Sequence, residues 1–298
     1  MNTHDLAAFV AVVDTGSIVA AAKQLHLTQP GISRRIQSLE TQLGVELLDR
    51  LSKPLKPSAA GQEVYGRGRQ ILSSVADLLA STQPEAEVSG DLRLGVPPFL
   101  AEQALTDPID ALRRDFPRLT PRVIAGWSPD LVRMVINNTL DAAAILTPDN
   151  VNPPDSLAMH FLGRELPLIV AAQDVELPHT SLTLQQVTRF PWVLNQDGCG
   201  LRSTIRRASD AAHLPFDIAV ETSDAELQLS LVARGMGIGL VTPGSYARSA
   251  SRDKLRVLSV PEFQSGINTW LVHARTPGRL AKPIAHFRTC FTSALKRQ

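Results

Sequence analysis

Cysteine is scarce in this chain, which has two cysteines, Cys199 and Cys290, among 298 residues. They stand far apart and form neither a CxxC pair nor a Cys/His group with the spacing of a zinc site. This argues against a disulfide framework and against a metal centre. We therefore expect a protein of a reducing compartment that carries neither a metal nor a cofactor.

Long apolar runs and a strong charge of one sign are also missing. The apolar start of the chain has no basic residue before it and is interrupted by Asp14, so neither a signal peptide nor a membrane span is predicted. No later segment reaches about 18 uninterrupted apolar residues. Thirty basic and 29 acidic residues nearly cancel, so any basic surface must be local. We expect a cytoplasmic protein with no membrane partner.

Motifs of catalysis are missing as well. We find no Gly-x-Ser-x-Gly, no His-Glu-x-x-His and no P-loop. The segment GMGIGL (235–240) resembles a dinucleotide-binding loop, but it follows a predicted helix and enters a predicted strand, which is the wrong order for that motif. The seven histidines are scattered and form no triad. The sequence therefore predicts no enzymatic activity.

The first ninety residues show helical periodicity instead. In THDLAAFVAVVDTGS, four apolar residues recur at i, i+3, i+4 and i+7, with Thr3 as the expected N-cap and Gly16 as the expected stop. Ser17 is expected to cap a second helix, IVAAAKQL, and a break of three residues separates that helix from a third. Helices joined by so short a turn must cross steeply.

The third helix lies within LHLTQPGISRRIQSLETQLG (25–44). Thr28 can cap it, and Pro30 falls in the first turn, where a missing N–H costs little. Its polar face lacks the Glu/Lys pairs of an ordinary exposed helix and carries groups that suit base edges and phosphates. From periodicity alone, a merely solvated face remains an alternative. The apolar face comprises Ile32, Ile36, Leu39 and Leu43, and the opposite face comprises Pro30, Arg34, Gln37 and Thr41, flanked by Ser33 and Ser38. The residues assigned to the DNA groove are Thr28, Gln29, Pro30, Ser33, Arg34 and Gln37, with Arg35 nearer the phosphates.

The next segment, DRLSKPLKPSAAG (49–61), could form a β-hairpin wing around a Ser-Lys-Pro turn. Arg50, Lys53 and Lys56 would then reach phosphates. Residues 23–69 contain eight Lys/Arg against four Asp/Glu, a local excess of four positive charges. Such an excess is what a phosphate-binding surface requires.

Taken together, FVAVVDTGSIVAAAKQLHLTQPGISRRIQSLETQLGVELLDR and the following SAAG resemble the winged helix-turn-helix of LysR-type transcriptional regulators. The resemblance runs without a gap, and Val19, Ala20 and Pro57 depart from the usual family pattern. It implies a DNA-binding domain over 1–57 and a linker helix over 58–88 that pairs antiparallel with a partner subunit. On its residues alone, that helix could also pack on its own domain. The implied partners are an approximately palindromic double-stranded DNA operator and further copies of the chain, as a homodimer or homotetramer.

From Asp91 onward, short apolar strands alternate with helices in two series, which favours an α/β fold with largely parallel sheets. The family resemblance implies a two-subdomain effector domain over 89–298, similar to type 2 periplasmic binding proteins and joined by crossing strands. Subdomain I would comprise about 89–162 and 267–298, and subdomain II about 163–266. The predicted strands are LRLGV, PRVIAG and DAAAILT, then LPLIVAA, FPWVLN, IAVETS and GIGLVT, with INTWLVHAR returning at the end.

Ligands of open α/β sheets bind beyond the carboxyl ends of the strands, near helix N-termini. Several residues there are also good helix caps, and Ser223 with Glu226 would form a capping box, so capping alone remains an alternative. An apolar wall of Pro98, Phe99 and Trp127 favours an aromatic or amphipathic organic effector over a small inorganic anion. The candidate effector-binding residues are Pro98, Phe99, Trp127, Ser128, Thr147, Asn195, Arg202, Thr222, Ser223 and Thr242.

We therefore predict a LysR-type DNA-binding regulator that is modulated by a small organic effector. Two alternatives remain open. One is a redox-responsive regulator that acts through Cys199, whose pKa Arg202 could lower. The other is a small-molecule binding protein whose amino-terminal helices serve dimerisation and not DNA binding.

Overall fold

The protein folds into two compact units, and each is built around its own hydrophobic core. The computed structural model describes residues 2–81, 87–178 and 180–297. Within these ranges, no helix is both long enough and apolar enough to cross a membrane. The first unit comprises residues 1–87 with 137–139, and the second comprises residues 88–136 and 140–298.

The first unit combines helices with a small antiparallel sheet. This matches the predicted order of helix, turn, helix, wing and long helix. Its elements are α1 (Thr3–Thr15), α2 (Ile18–Gln24), α3 (Gln29–Leu43), β1 (Leu48–Asp49), β2 (Lys56–Pro57) and α4 (Ala59–Ser81).

The ends of α1, α2 and α3 follow the predicted capping residues with one exception. Gly16 ends α1 in the left-handed conformation with φ of 64°, and Ser17 and Thr28 accept hydrogen bonds from the first turns of α2 and α3. The exception is Thr3, the predicted N-cap of α1, which is instead its first helical residue. Asn2 caps the helix in its place, because its side-chain oxygen accepts the hydrogen bond from the first turn.

The apolar face of α3 is seated in the core of the first unit through Ile32, Ile36 and Leu39, all of which are buried. Leu43, the fourth residue predicted for this face, is 39% exposed. The helix ends at this residue, since Gly44 turns the chain in a left-handed conformation. The core therefore holds the apolar face of α3 from Ile32 to Leu39, about two turns, and leaves its last residue outside.

The wing and the start of α4 are joined by backbone contacts. β1 and β2 pair antiparallel with Leu48 opposite Pro57, which confirms the predicted hairpin. The Ser58 N–H donates to the Leu47 carbonyl at 2.9 Å, and the Gly61 N–H donates to Ser58 Oγ at 3.0 Å. Glycine is required at 61, because a Cβ there would lie 2.0 Å from the Leu47 carbonyl oxygen. The SAAG motif is thus explained by close packing.

A polar cluster ties α4 to α1. The Tyr65 hydroxyl donates to Asp14, and Arg69 Nη1 lies 2.8 Å from Asp14 Oδ1 and 2.7 Å from Tyr65 Oη. Burial raises the pKa of Tyr65, which keeps its hydroxyl a donor. The helix is described as far as Ser81, and residues 82–86 of the predicted linker lie outside the described residues.

The second unit alternates strands and helices. Its strands are β3 (Gly90–Val96), β4 (Leu119–Ala125), β5 (Ala142–Pro148), β6 (Leu157–Glu165), β7 (Leu168–Ala172), β8 (Trp192–Asn195), β9 (Ile218–Thr222), β10 (Ile238–Val241), β11 (Leu255–Leu258) and β12 (Ile267–Ala274). Its helices are α5 (Ala101–Leu105), α6 (Asp107–Asp115), α7 (Ser128–Ile136), α8 (Leu184–Val187), α9 (Gly200–Ala211), α10 (Ala225–Ala233), α11 (Pro243–Arg248) and α12 (Ala281–Leu295).

These strands form two five-stranded sheets, one in the order β4-β3-β5-β12-β6 and the other in the order β11-β7-β10-β8-β9. The pairs of β3 with β4 and β5, and of β8 with β9 and β10, are parallel. The remaining pairs are antiparallel, so the prediction of largely parallel sheets is wrong. Every antiparallel pair includes a strand that flanks one of the two chain crossings between the sheets, β6 to β7 and β11 to β12.

Two of these strands, β6 and β11, were not predicted from the sequence. Both lie at sheet edges and mix buried with exposed residues, so neither shows a continuous apolar run. β6 extends to Glu165, so residues 163–165 belong to the first sheet. The predicted subdomain boundary at 162 therefore cuts this strand.

Candidate nucleic-acid interface and ligand cleft

The start of α3 is set by Thr28 and Pro30. Thr28 Oγ1 accepts a hydrogen bond from the Gly31 N–H at 3.2 Å, and Pro30 occupies the first turn. Both residues are exposed, as is Gln29 between them. The first turn of α3 is therefore rigidly capped, and its side chains stand at the surface.

Three residues of the polar face of α3 make no side-chain contact of a polar kind with the described part of the chain. Arg34 and Gln37 are exposed and Ser33 is half-buried, and within the described ranges no residue forms a side-chain hydrogen bond or ion pair with any of the three. The neighbouring Ser38, by contrast, donates to Asp5 Oδ2 at 3.1 Å. Free donors on a helix whose other face is buried can pair with base edges.

Two arginines near this face already have partners. Arg35 Nη1 donates to the His4 carbonyl at 3.4 Å. Arg50 Nη2 pairs with Glu40 Oε2 at 3.1 Å, and the other Glu40 oxygen accepts from the Leu47 N–H at 2.8 Å. The Glu40 side chain is 11% exposed and the Arg50 side chain 61%, so a nearly buried carboxylate holds an outward guanidinium at the base of the wing. The sequence offered no signal for this role of Glu40 beyond an acidic residue in a basic stretch.

The tip of the wing packs against the turn between α1 and α2. The Leu55 N–H donates to the Gly16 carbonyl at 3.0 Å. A Cβ on Gly16 would lie 2.8 Å from Pro54 Cβ. Lys53, next to this contact, is exposed and has no ion-pair partner in the described part of the chain. Its ammonium is therefore displayed from an anchored loop.

In the second unit, two of the three residues of the predicted apolar wall, Phe99 and Trp127, lie close together beyond the ends of β3 and β4. The rings of Phe99 and Trp127 are 6.0 Å apart at 53°, and both residues are half-buried. Trp127 Nε1 donates to Gln196 Oε1 at 3.3 Å. This bond draws together the ends of strands from the two sheets, so the structure brings Phe99, Trp127 and the loop after β8 to one place.

Ser128 and Thr147 are brought together, but their hydroxyls already serve the fold. Ser128 Oγ accepts from the Leu146 N–H at 2.9 Å, and Thr147 Oγ1 accepts from Trp270 Nε1 at 3.0 Å. Both residues are buried and line one cavity of about 250 Å³. Ser203 and Arg207 of α9 line the same cavity, although neither was among the predicted residues.

Asn195, Arg202 and Thr222 form a separate bonded group at the end of the second sheet. Asn195 is 1% exposed, its Nδ2 donates to the Thr222 carbonyl at 3.1 Å, and its own carbonyl accepts from Arg202 Nη1 at 3.2 Å. Arg202 also pairs with Glu221 at 2.7 Å. These side chains brace strands β8 and β9 to the start of α9.

Three predicted residues remain. Pro98 is half-buried and begins the short 3-10 turn Pro98–Leu100. Thr242 caps α11, since its Oγ1 accepts from the Ser245 N–H at 3.2 Å. Ser223 is exposed, and the capping box predicted for it is wrong. Asp224 is the N-cap of α10 instead, accepting from the Leu227 N–H at 2.7 Å, because the helix begins one residue later than a serine cap requires.

Cys199 does not have the environment of a reactive thiol. It is 1% exposed, and burial raises its pKa to about 11, which outweighs the nearby guanidinium of Arg202. The predicted lowering of this pKa is therefore wrong. Cys199 and Cys290 are both free thiols, and the described residues contain no group of three or more His, Cys, Asp and Glu side chains that could hold a metal ion.

Comparison with known proteins agrees with this two-unit arrangement. The family model "Bacterial regulatory helix-turn-helix protein, lysR family" matches residues 3–62, and the model "LysR substrate binding domain" matches residues 85–296. The chain is 28% identical over 279 residues to the nitrogen assimilation regulatory protein nac of Escherichia coli K12, covering 93% of this chain and 85% of nac.

Solved structures share the fold. Full-length OxyR from Pseudomonas aeruginosa superimposes with a TM-score of 0.78 at 18% identity, over 98% of this chain and 94% of OxyR. Full-length CbnR, solved as a complex with its target DNA, has a TM-score of 0.60 at 20% identity, over 97% of this chain and all of CbnR. At these identities the likeness concerns the fold alone.

Proposed function

The chain belongs to the LysR family of bacterial DNA-binding transcriptional regulators, and on that premise we propose that the free polar face of α3 reads its operator. The observation that carries this proposal is the contrast between the two faces of the helix. Ile32, Ile36 and Leu39 hold one face in the core, while Arg34 and Gln37 are exposed with no partner among the described residues. A helix placed in this way can enter the major groove with its polar face toward the bases.

We assign base reading to Arg34 and Gln37, since arginine can fork onto guanine and glutamine onto adenine. The remaining contacts would set position and not sequence. Four of the assigned residues lie at the N-terminal end of α3, namely Thr28, Gln29, Pro30 and Ser33. The phosphates are assigned to Arg35, Arg50 and Lys53. The ion pair with Glu40 supports this role for Arg50, because it fixes the guanidinium before DNA arrives.

We propose that residues 58–88 form a linker that joins two DNA-binding domains, each comprising residues 1–57. Ile71 and Val75 lie one turn apart on α4 and are 38% and 37% exposed. Leu78, on the same stripe, is 66% exposed. An apolar stripe of this kind suits antiparallel pairing with a second copy, and two such dimers would make the tetramer.

The second unit, residues 89–298, would hold a small organic effector near the Phe99 and Trp127 cluster. Binding would shift the population between two quaternary arrangements that space the DNA-binding domains differently, which requires only that the effector bind one arrangement better. We further propose that the protein has no enzymatic activity and works in the cytoplasm, where the DNA of a bacterium lies.

The test begins by footprinting the protein on DNA upstream of its own gene, to define an operator. Arg34→Ala is then compared with Arg67→Ala, which removes the same charge from an exposed residue of α4. We expect Arg34→Ala to weaken operator binding by about 1 to 3 kcal/mol and to relax the preference at one base pair. Arg67→Ala should have little effect. Operator binding by Arg34→Ala as tight as that of the wild type would refute the assignment.

Lys53→Ala separates the phosphate role from the base role. We expect it to weaken binding to all sequences alike and to reduce the salt dependence of log Kd by about one. The measurement is a salt titration on operator and random DNA. If even the wild type showed no salt-dependent DNA affinity, the protein would instead be a small-molecule binding protein with a dimerising amino-terminal unit.

A further inference from the structure

The cavity of about 250 Å³ in the second unit has a mostly apolar lining. It lies between the end of β5, the start of α7, one face of α9 and the segment 151–154. The apolar side is formed by Val132, Ile145, Pro148, Val151, Pro153 and Pro154.

One positive charge at this cavity, that of Arg207, has no acidic partner among the residues that the structure describes. Arg207 lines the cavity and is exposed, and no residue in the described ranges forms a hydrogen bond or ion pair with its guanidinium. The other two arginines of α9 are engaged. Arg206 pairs with Asp210 at 3.4 Å and lies 5.0 Å from the ring centre of Phe216, and Arg202 is bonded to its own chain, as described above.

Two further polar groups in the lining are available. The Ser203 hydroxyl and the Asn152 amide line the cavity, and within the described chain neither forms a side-chain hydrogen bond. Ser128 and Thr147, which also line it, are already bonded within the fold. The lining contains no acidic side chain. The free groups are therefore mainly donors, and the local charge is positive.

The first turn of α9 adds to the positive electrostatic potential at the cavity. Its N-cap residue, Cys199, makes no side-chain capping hydrogen bond, and Gly200 and Ser203 of that turn line the cavity. A helix N-terminus favours negative charge nearby. The cavity thus combines a fork-shaped cation, two neutral hydrogen-bonding groups and an apolar floor.

We propose that this cavity binds a small organic monocarboxylate with a compact apolar body, with its carboxylate on Arg207, Ser203 and Asn152. A guanidinium fork binds a planar carboxylate with two parallel hydrogen bonds. An inorganic anion would leave the apolar lining unused, whereas a volume of about 250 Å³ accommodates a compact apolar body. The inference rests on the proposed function, since such a ligand would be the effector. It narrows the effector site to this cavity, which Ser128, next to Trp127, lines but Phe99 does not.

The experiment is titration calorimetry on the full-length protein with cyclohexanecarboxylate as the probe and cyclohexanecarboxamide as its neutral counterpart. We expect the wild type to bind the acid and to bind the amide at least about tenfold more weakly, because a hydrogen bond to a charged group is lost. Arg207→Gln should weaken acid binding by a similar factor. Arg206→Gln, the matched control on the same helix, should leave it unchanged.

Ser203→Leu provides a second variant, because it fills the cavity without removing charge, and it should abolish binding. Melting temperatures of all three variants should match the wild type, since the altered side chains lie outside the core. Failure of the wild type to bind the acid at millimolar concentration would overturn the proposal, as would equal affinities of the wild type and Arg207→Gln.

The same samples are assayed for operator binding. A wild type that binds its operator but not the acid would remove the cavity assignment and leave the regulator function standing. A wild type that binds the acid but no DNA would remove the regulator function and leave the cavity assignment standing.

Discussion

The two candidate sites differ in what their polar side chains already do. On α3, Arg34 and Gln37 are exposed and have no partner in the described part of the chain. In the second unit, Ser128, Thr147 and Asn195 are buried, and each is hydrogen-bonded to its own chain. A group that already holds a partner within the fold has less hydrogen-bonding capacity left for a ligand.

The difference shows that a polar residue located just beyond the end of a strand is not, for that reason alone, a ligand-binding residue. Polar residues at such places also close the ends of strands and start helices, because buried backbone groups there need partners. On α3, by contrast, the two residues proposed to read bases, Arg34 and Gln37, are ones whose side chains no other described residue engages. We therefore expect changes on α3 to affect DNA binding, and changes at the strand ends to affect stability.

The largest effect is expected from Gly61→Ala, which tests whether the first unit depends on the close contact between α4 and Leu47. The new Cβ would lie 2.0 Å from the Leu47 carbonyl oxygen, so the wing and α4 must separate. We expect a loss of about 3 kcal/mol or more in the free energy of unfolding, measured by denaturant titration. Gly44→Ala is the control, since its Cβ meets open space and only its φ of 70° is unfavourable, at about 1 kcal/mol. Equal losses for the two variants would contradict the packing argument.

A smaller effect is expected from Asn195→Ala, which tests the claim that strand-end polar groups are structural. The variant leaves the Thr222 carbonyl without its donor, so the free energy of unfolding should fall by about 1 to 3 kcal/mol. Ser223→Ala, at an exposed position close by, should change it little. If Asn195→Ala kept full stability and lost only its response to an effector, Asn195 would belong to the ligand site and the comparison would fail.

The smallest effect is expected from oxidation. Because the pKa of Cys199 is raised to about 11, its thiol stays protonated at neutral pH and is a poor nucleophile toward peroxide. Operator affinity measured before and after mild peroxide treatment should therefore be the same, with Cys199→Ala as the control. A peroxide response that disappears in Cys199→Ala would restore the redox alternative.

The amino-terminal unit was predictable almost residue by residue. Its signals are local: Gly16, Ser17 and Thr28 act on backbone groups within a few residues, and helical periodicity places Ile32, Ile36 and Leu39 on one face. The errors were correspondingly small. Asn2 replaces Thr3 as a cap, and Leu43 lies outside the core.

The second unit was predictable in class but not in detail. Alternating apolar strands and helices indicated two α/β subdomains, yet β6 and β11 were missed because edge strands lack a continuous apolar run. Strand direction also differed, since the chain crossings between the sheets create antiparallel pairs. The N-cap of α10 is Asp224 and not the predicted Ser223, because two neighbouring residues can both cap a helix and the sequence does not show at which of them the helix begins.

By itself, the sequence determined the family, the helix order of the DNA-reading unit and which face of α3 is polar, because capping and periodicity act over a few residues. The tertiary structure alone decided which polar groups remain available. Glu40 holds Arg50, and Trp270 donates to the Thr147 hydroxyl from 123 residues along the chain. Arg207, at an apolar cavity, has no partner among the described residues. Hydrogen bonds between distant segments form only when packing brings them together, so no local pattern could reveal them.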